Sequence, residues 1–281
     1  MILESAVIVT FALLLDFLVG DPRTKYHPTA WIGKLIASLV PFTKSNSVRK
    51  ELIGGILLVS VIVVTICTVL VVLDIGISLL TIDIVSLIVS IAVGSILLKT
   101  TIAIRGMQKH ALAVVDAVEK GDLGSARNHL SMIVKRDTKN LDKNHILSGV
   151  LESVSENTVD GVTGPLFYYA IFGLPGAFVY RAINTIDSMV GYKTTLFKNV
   201  GWFGAKCDTV LNYAPSRLTG LVMILGALIL GYNWKESLYI MRRDSRKLES
   251  SNAGFPMAAL AGALGTKLEK MNCYTIGNGS I

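Results

Sequence analysis

Leu52 to Leu73 reads LIGGILLVSVIVVTICTVLVVL, an unbroken apolar run without a single charge. A helix rises about 1.5 Å per residue, so the run exceeds the roughly 20 residues that span the hydrocarbon core of a bilayer. The run behind it, Ile75 to Leu98, is interrupted only by Asp83. Two membrane-spanning helices follow, joined by a turn at Asp74-Ile75-Gly76. Asp83 falls near the outer end of its span, where a carboxylate costs little, and is assigned no chemistry.

Three weaker runs flank this pair. Ala6 to Leu15 has no basic residue before it and leads into Asp16 and Gly20-Asp21-Pro22, which reads as a membrane helix rather than a removable signal. Leu166 to Ile183 is broken by Gly173-Leu174-Pro175-Gly176, so it is either a kinked span or a re-entrant pair of half-helices. Leu218 to Leu230 carries Gly220, Gly226 and Ala227 for close helix approach. With 281 residues, 52% hydrophobic and 17% charged, and a mean hydropathy of +0.57, an ordinary soluble domain is excluded. The expectation is an all-α, polytopic membrane protein of four to five membrane helices. Residues 1–281 would form one integral membrane domain, with 99–165 a mostly cytoplasmic helical insertion leading into the active site.

The net charge of +7 reads as topology, and no nucleic-acid partner is expected. Bases crowd Arg23 to Lys50, Lys99 to Lys143 and the tail after Trp234, which places those segments in the cytoplasm of a multi-pass cell-membrane protein. If both later runs span fully, Asn184 to Arg217 lies outside, against the trend of its five flanking and internal bases. Cys67, Cys207 and Cys273 show no paired spacing, so neither a disulfide framework nor a zinc site is expected. No GxxxxGK[ST] and no GxGxxG after a strand occurs, which excludes a P-loop and a Rossmann domain.

Chemistry-bearing residues gather at the margins of these runs. In ESVSENTVDGVTGPL, Glu152 to Leu166, the acids Glu152, Glu156 and Asp160 recur four apart and share a helix face. No Lys or Arg occurs between Lys143 and Arg181, so the face either awaits a metal ion or charged substrate, or is a solvated acidic surface. Gln108 to Val134 has the pattern of a helical hairpin turning at Gly121-Asp122. After it, Lys135-Arg136-Asp137-Thr138 suits phosphate oxygens or a solvated helix end equally. Arg181, Asn184, Asp187 and Ser188 share one face of a helix, a polar stripe beside apolar surface that needs partners. Asp208 and Asn212 share another. Asp21 and His27 stand at a membrane boundary, where ionisable groups tend to be functional, and Ser251-Asn252-Ala253-Gly254 opens a small-residue helix. Acids for Mg²⁺ and bases for phosphate are the division of labour that phosphoryl chemistry needs. The residues alone lead that far and no further.

The motifs GDPxxxxHP (20–28), SMIVxRDT (131–138), ESVSENTVDGVTGPLF (152–167), YRAINTIDSMVGY (180–192) and SNAGFPMAALAGALG (251–265) closely resemble, in order, those of the CobD/CbiB family of cobalamin biosynthesis. The resemblance implies a membrane-bound adenosylcobinamide-phosphate synthase. Such an enzyme joins aminopropanol, or its O-phosphate, to the free propionate carboxyl of adenosylcobyric acid at the expense of ATP, with Mg²⁺. The corrinoid is then a substrate, the lipid bilayer a partner, and other membrane-bound enzymes of the corrinoid pathway the expected neighbours.

It further implies that Glu152, Glu156 and Asp160 hold Mg²⁺ or take the ammonium proton of the amine, with Asp187 beside them in the catalytic set. Arg136 and Arg181 would stabilise phosphate charge, Asn157, Asn184 and Asp187 would orient substrate, and Asp21, His27, Asp137, Ser188 and Asn252 would line the substrate. Family members often pair acids where this chain has Cys207-Asp208, which weakens a metal role there. They also usually continue for a further helical stretch past the GALG motif. A small transporter or structural subunit calls for ionisable groups inside the long spans, which hold only Asp83. A Mg-dependent membrane transferase calls for DxxD pairs, which the flanking segments lack.

Overall fold

The computed structural model describes residues 2–22, 24–192 and 194–279. Arg23 and Lys193, counted among the bases above, and the terminal residues Ser280 and Ile281 lie outside them. The chain forms two compact units, Met1–Ala103 with Gly164–Leu211, and Ile104–Thr163 with Asn212–Ile281.

The first unit begins with α1 (Ile2–Val19), α2 (Pro28–Thr43), α3 (Val48–Ser78) and α4 (Asp83–Lys99). The quoted run lies in α3, whose 31 residues reach roughly 45 Å. Gly54, Leu58, Ile62, Ile66 and Leu70 form its buried stripe. Ile53, Leu57, Val61, Val64 and Val72 remain exposed on its other faces. A helix apolar all round, with only one stripe covered by protein, is what lipid contact demands. The turn is displaced from its expected place: α3 runs through Asp74 to Ser78, and the chain reverses over Leu79–Ile82. An exposed carboxylate on a helix surface does not end the helix. Asp83 is the first residue of α4, at the helix terminus, where an acid is favoured by the helix dipole.

The second unit then opens with α5 (Ile104–Glu119), α6 (Leu123–Ser131) and α7 (Lys143–Thr158). The α5/α6 hairpin turns as expected, with Gly121 at φ 75° and the Asp122 carboxylate accepting from Ser125 N at 2.9 Å. A five-residue π-turn, Val159–Thr163, follows α7.

The chain returns to the first unit in α8 (Gly164–Val190), which is broken at Gly173 (φ 64°, ψ −154°) ahead of Pro175. Only glycine adopts that conformation without strain. A Cβ on Gly176 would stand 2.3 Å from Tyr168 O, and one on Gly164 would stand 2.1 Å from the Tyr180 ring. A straight helix would hold each of those pairs more than 10 Å apart. Both contacts pair residues equidistant from position 172, so α8 folds back on itself as a re-entrant hairpin. This decides between the two readings of Leu166 to Ile183.

The segment after α8 leads through α9 (Trp202–Leu211). Asn199 Nδ2 donates to Glu51 Oε2 at 2.8 Å, and Val200 O lies 2.2 Å from where a Gly55 Cβ would be. Residues 199–200 therefore rest at the N-terminal end of α3, beside the basic segment that precedes it. Placing Asn184 to Arg217 outside required Leu166 to Ile183 to run through as one full span, and the fold-back of α8 removes that condition.

The second unit is completed by α10 (Tyr213–Ile229), α11 (Trp234–Asp244) and α12 (Gly254–Leu264), with β1 (Leu268–Lys270) and β2 (Tyr274–Ile276). The all-α expectation holds apart from this antiparallel hairpin, in which Leu268 pairs with Ile276 and Lys270 with Tyr274. Small residues let α12 sink into the core, and a Cβ on Gly262 would meet Glu236 O at 2.5 Å. Among the described residues, four helical stretches are long and apolar enough to cross a membrane: Ile2–Val19, Val48–Ser78, Asp83–Glu119 and Lys143–Val190. The last contains the re-entrant hairpin.

Candidate functional site

In the second unit, α7 presents the acidic stretch. Glu152 is only 3% exposed, and three donors converge on it. Arg136 pairs with its Oε2, Tyr274 Oη donates to the same oxygen at 2.5 Å, and Ser148 Oγ donates to Oε1 at 2.7 Å. Strand β1 closes the network, since Glu269 N donates to Ser148 Oγ at 2.8 Å. Burial and the Glu152 carboxylate together raise the Tyr274 phenol far above its ordinary pKa, and Glu156 adds to the effect. The cation that the stretch lacks in sequence is thus Arg136 for Glu152. Glu156 and Asn157 are exposed, Asp160 is half-buried in the π-turn, and Asn157 Nδ2 donates to Ser153 O at 2.8 Å.

Among the described residues no three His, Cys, Asp or Glu side chains lie close enough to hold a metal ion. Magnesium commonly takes one or two carboxylates together with substrate phosphates. Glu156 and Asp160 have the right chemistry for that. Glu152, already bonded to a guanidinium and two hydroxyls, does not fit a second cation. Asp137 is exposed and accepts from Lys139 N at 3.0 Å.

The C-terminal hairpin is fastened by Asp244, the last residue of α11 and fully buried. Its oxygens accept from Arg243 Nε and Nη2, both at 2.7 Å, from Gly277 N at 2.9 Å, and pair with Lys247 Nζ at 2.7 Å. These donors outweigh burial and hold its carboxyl well below the usual range. Ahead of α12, Asn252 Oδ1 accepts from Arg217 Nη1 at 3.3 Å.

In the first unit, Asp16, Asp21, His27 and Lys99 form a second polar cluster. Lys99 Nζ lies 3.0 Å from Asp21 Oδ1 and 3.7 Å from Asp16 Oδ1, and Asp16 is fully buried. His27 Nε2 is 3.8 Å from Asp21 Oδ1. The His27 ring first, and Lys99 next, hold the Asp21 carboxyl down at about 2 against the cost of its burial. The re-entrant hairpin carries Arg181, whose Nη1 donates to Asn184 Oδ1 at 3.4 Å, and Asn184 Nδ2 reaches Asp208 Oδ1 on α9 at 3.4 Å. Asp187 is half-buried and Ser188 exposed.

A sequence model of the CobD/CbiB protein family matches residues 9–280 of the chain, through every one of these clusters. The chain belongs to the CobD/CbiB family. The probable cobalamin biosynthesis protein CobD of Methanothermobacter thermautotrophicus is 40% identical over 271 residues, 96% of this chain and 86% of that one. The cobalamin biosynthesis protein CobD of Leptospira interrogans is 41% identical over 268 residues, covering 95% and 83%. The probable cobalamin biosynthesis protein CobD of Methanocaldococcus jannaschii is 37% identical over 280 residues, covering 99% and 90%. No solved structure matches the chain.

Within this CobD/CbiB chain, Arg136 and Glu152, from separate motifs, meet in the second unit, and Asp21 and His27, from one motif, lie together in the first. Arg181, Asn184 and Asp187 remain together on one helix. Residues that sequence reasoning passed over are Lys99, Ser148, Tyr274 and Arg217. Lys99 carried a signal, being a base placed directly at the end of an apolar run.

Proposed function

We propose that the protein is the ATP-dependent amide ligase of cobalamin biosynthesis. It would join aminopropanol, or its O-phosphate, to the free propionate carboxyl of adenosylcobyric acid and give adenosylcobinamide or its phosphate. The match to the CobD/CbiB family over residues 9–280 carries this reading.

A carboxylate is inert toward amines until one of its oxygens becomes a good leaving group. In the proposed sequence the corrinoid carboxylate oxygen attacks the γ-phosphorus of ATP, the bond to the β-phosphate oxygen breaks, and ADP departs. The amine nitrogen then attacks the acyl carbon and expels inorganic phosphate. The amine must arrive neutral, so its proton passes to a carboxylate, for which Asp187 is the candidate. Arg181, fixed through Asn184 to Asp208, would face phosphate charge. Arg136, pinned to Glu152, is a positioning residue. Mg²⁺ held by Glu156 and Asp160 would supply further neutralisation of the nucleotide's phosphates. The basic segments, and with them both ends of the re-entrant hairpin, would face the cytoplasm, where ATP is found.

Purified protein incubated with adenosylcobyric acid, aminopropanol phosphate and Mg-ATP should yield a product with the mass of the amide. A folded protein that forms none with either amine contradicts the proposal.

A further inference from the structure

Arg217, near the start of α10, is held more tightly than any role assigned above requires. Its guanidinium lies between two rings, 3.5 Å from the centre of Tyr213 and 4.2 Å from that of Phe255. Nη1 donates to Tyr213 O at 2.7 Å and to Asn252 Oδ1 at 3.3 Å, with Ser216 Oγ at 3.5 Å. Among the described residues no carboxylate pairs with it.

Two rings lie against the guanidinium and Nη1 is engaged, which leaves the edge formed by Nε and Nη2. That edge presents two parallel N–H donors, the fork that fits an oxyanion. Tyr213 is 60% exposed, so the clamp opens to solvent on one side. Two parallel donors on a guanidinium that no carboxylate neutralises suit a phosphate ester, which offers oxygens to both.

We propose that Arg217 is the docking group for a phosphate ester, clamped by Tyr213 and Phe255 and aimed by Asn252. The ligase reading, on which the choice of ligand rests, offers two sources of that group, the phosphorylated amine and the nucleotide. The test is calorimetric titration of the full-length protein in detergent micelles with aminopropanol O-phosphate, with ATP, and with free aminopropanol as control.

Arg217→Gln should weaken binding of one phosphate ester by about tenfold to a hundredfold, the worth of a charge-assisted fork. Arg217→Lys, which keeps the charge and loses the fork, should fall between, and free aminopropanol should bind all forms alike. A loss confined to aminopropanol phosphate assigns the site to the amine, and one confined to ATP assigns it to the nucleotide. Unchanged affinity for both esters, or no binding of either by the wild type, overturns the proposal. Should Arg217→Gln unfold, Phe255→Leu removes one face of the clamp and carries the same test. Amide formation is followed separately. If it is absent from a wild type that binds phosphate through Arg217, the ligase reading falls and the site stands.

Discussion

Tyr274 in the C-terminal hairpin donates its phenolic hydrogen to Glu152 Oε2 at 2.5 Å, across 122 positions of sequence. The hairpin therefore completes the environment of the carboxylate that opens the acidic motif. Tyr274→Phe removes one of three donors and leaves Arg136 and Ser148 in place. It should cost about 1–2 kcal/mol of stability, read as a lowered thermal midpoint. Arg136→Leu, which strands a buried carboxylate, should cost more, about 3–5 kcal/mol. Equal effects of the two would mean that Arg136 is not the counter-ion of Glu152.

The hairpin itself hangs on Asp244. Asp244→Asn keeps the shape and removes the charge shared by Arg243, Lys247 and Gly277 N. Amide hydrogens of residues 268–276 should then exchange faster while those of α5 and α6 keep their protection. Unchanged exchange in the hairpin would show that the strands hold without this clasp.

Much of this architecture was legible in sequence, and what was not has physical causes. The apolar length of α3, the Gly-Pro break in α8 and the turn at Gly121-Asp122 are local signals, fixed by residues within a few positions of one another. The Tyr274–Glu152 and Lys99–Asp21 contacts join distant segments, and nothing in a single sequence marks which base meets which acid. Three acids spaced four apart read either as one face awaiting a cation or as a solvated acidic surface. The partner of Glu152 came from the preceding motif, and the π-turn interrupted the face at Asp160. The turn after α3 was misplaced because Asp74 and Gly76 resemble a loop, whereas a long lipid-facing helix tolerates both.

The fold-back of α8 predicts a topology for the first unit. In a background with the native cysteines replaced by serine, Ser45→Cys and Thr195→Cys should react with an impermeant maleimide from the same side of sealed vesicles. Asp74→Cys should react from the other. Labelling of Thr195→Cys together with Asp74→Cys would require α8 to cross. Gly173→Ala should destabilise the unit, since φ 64° with ψ −154° is closed to a residue bearing a Cβ.

Asp21 contributes a pH dependence of definite sign. Its folded pKa of about 2 lies below the ordinary value of about 3.9. Its contribution is therefore complete above about pH 4 and is lost as pH falls toward 2. His27→Ala removes the largest cause of the depression, so the acid-unfolding midpoint followed by circular dichroism should move to higher pH. An unmoved midpoint would separate His27 from Asp21.

The central claim is that ATP activates the corrinoid carboxylate by phosphorylation. Adenosylcobyric acid carrying ¹⁸O in its free propionate carboxyl tests it most directly, with the released phosphate analysed by mass. The account predicts one ¹⁸O transferred from the carboxyl to inorganic phosphate for each amide formed. Amide formation with unlabelled phosphate, or with the label in AMP, would contradict it.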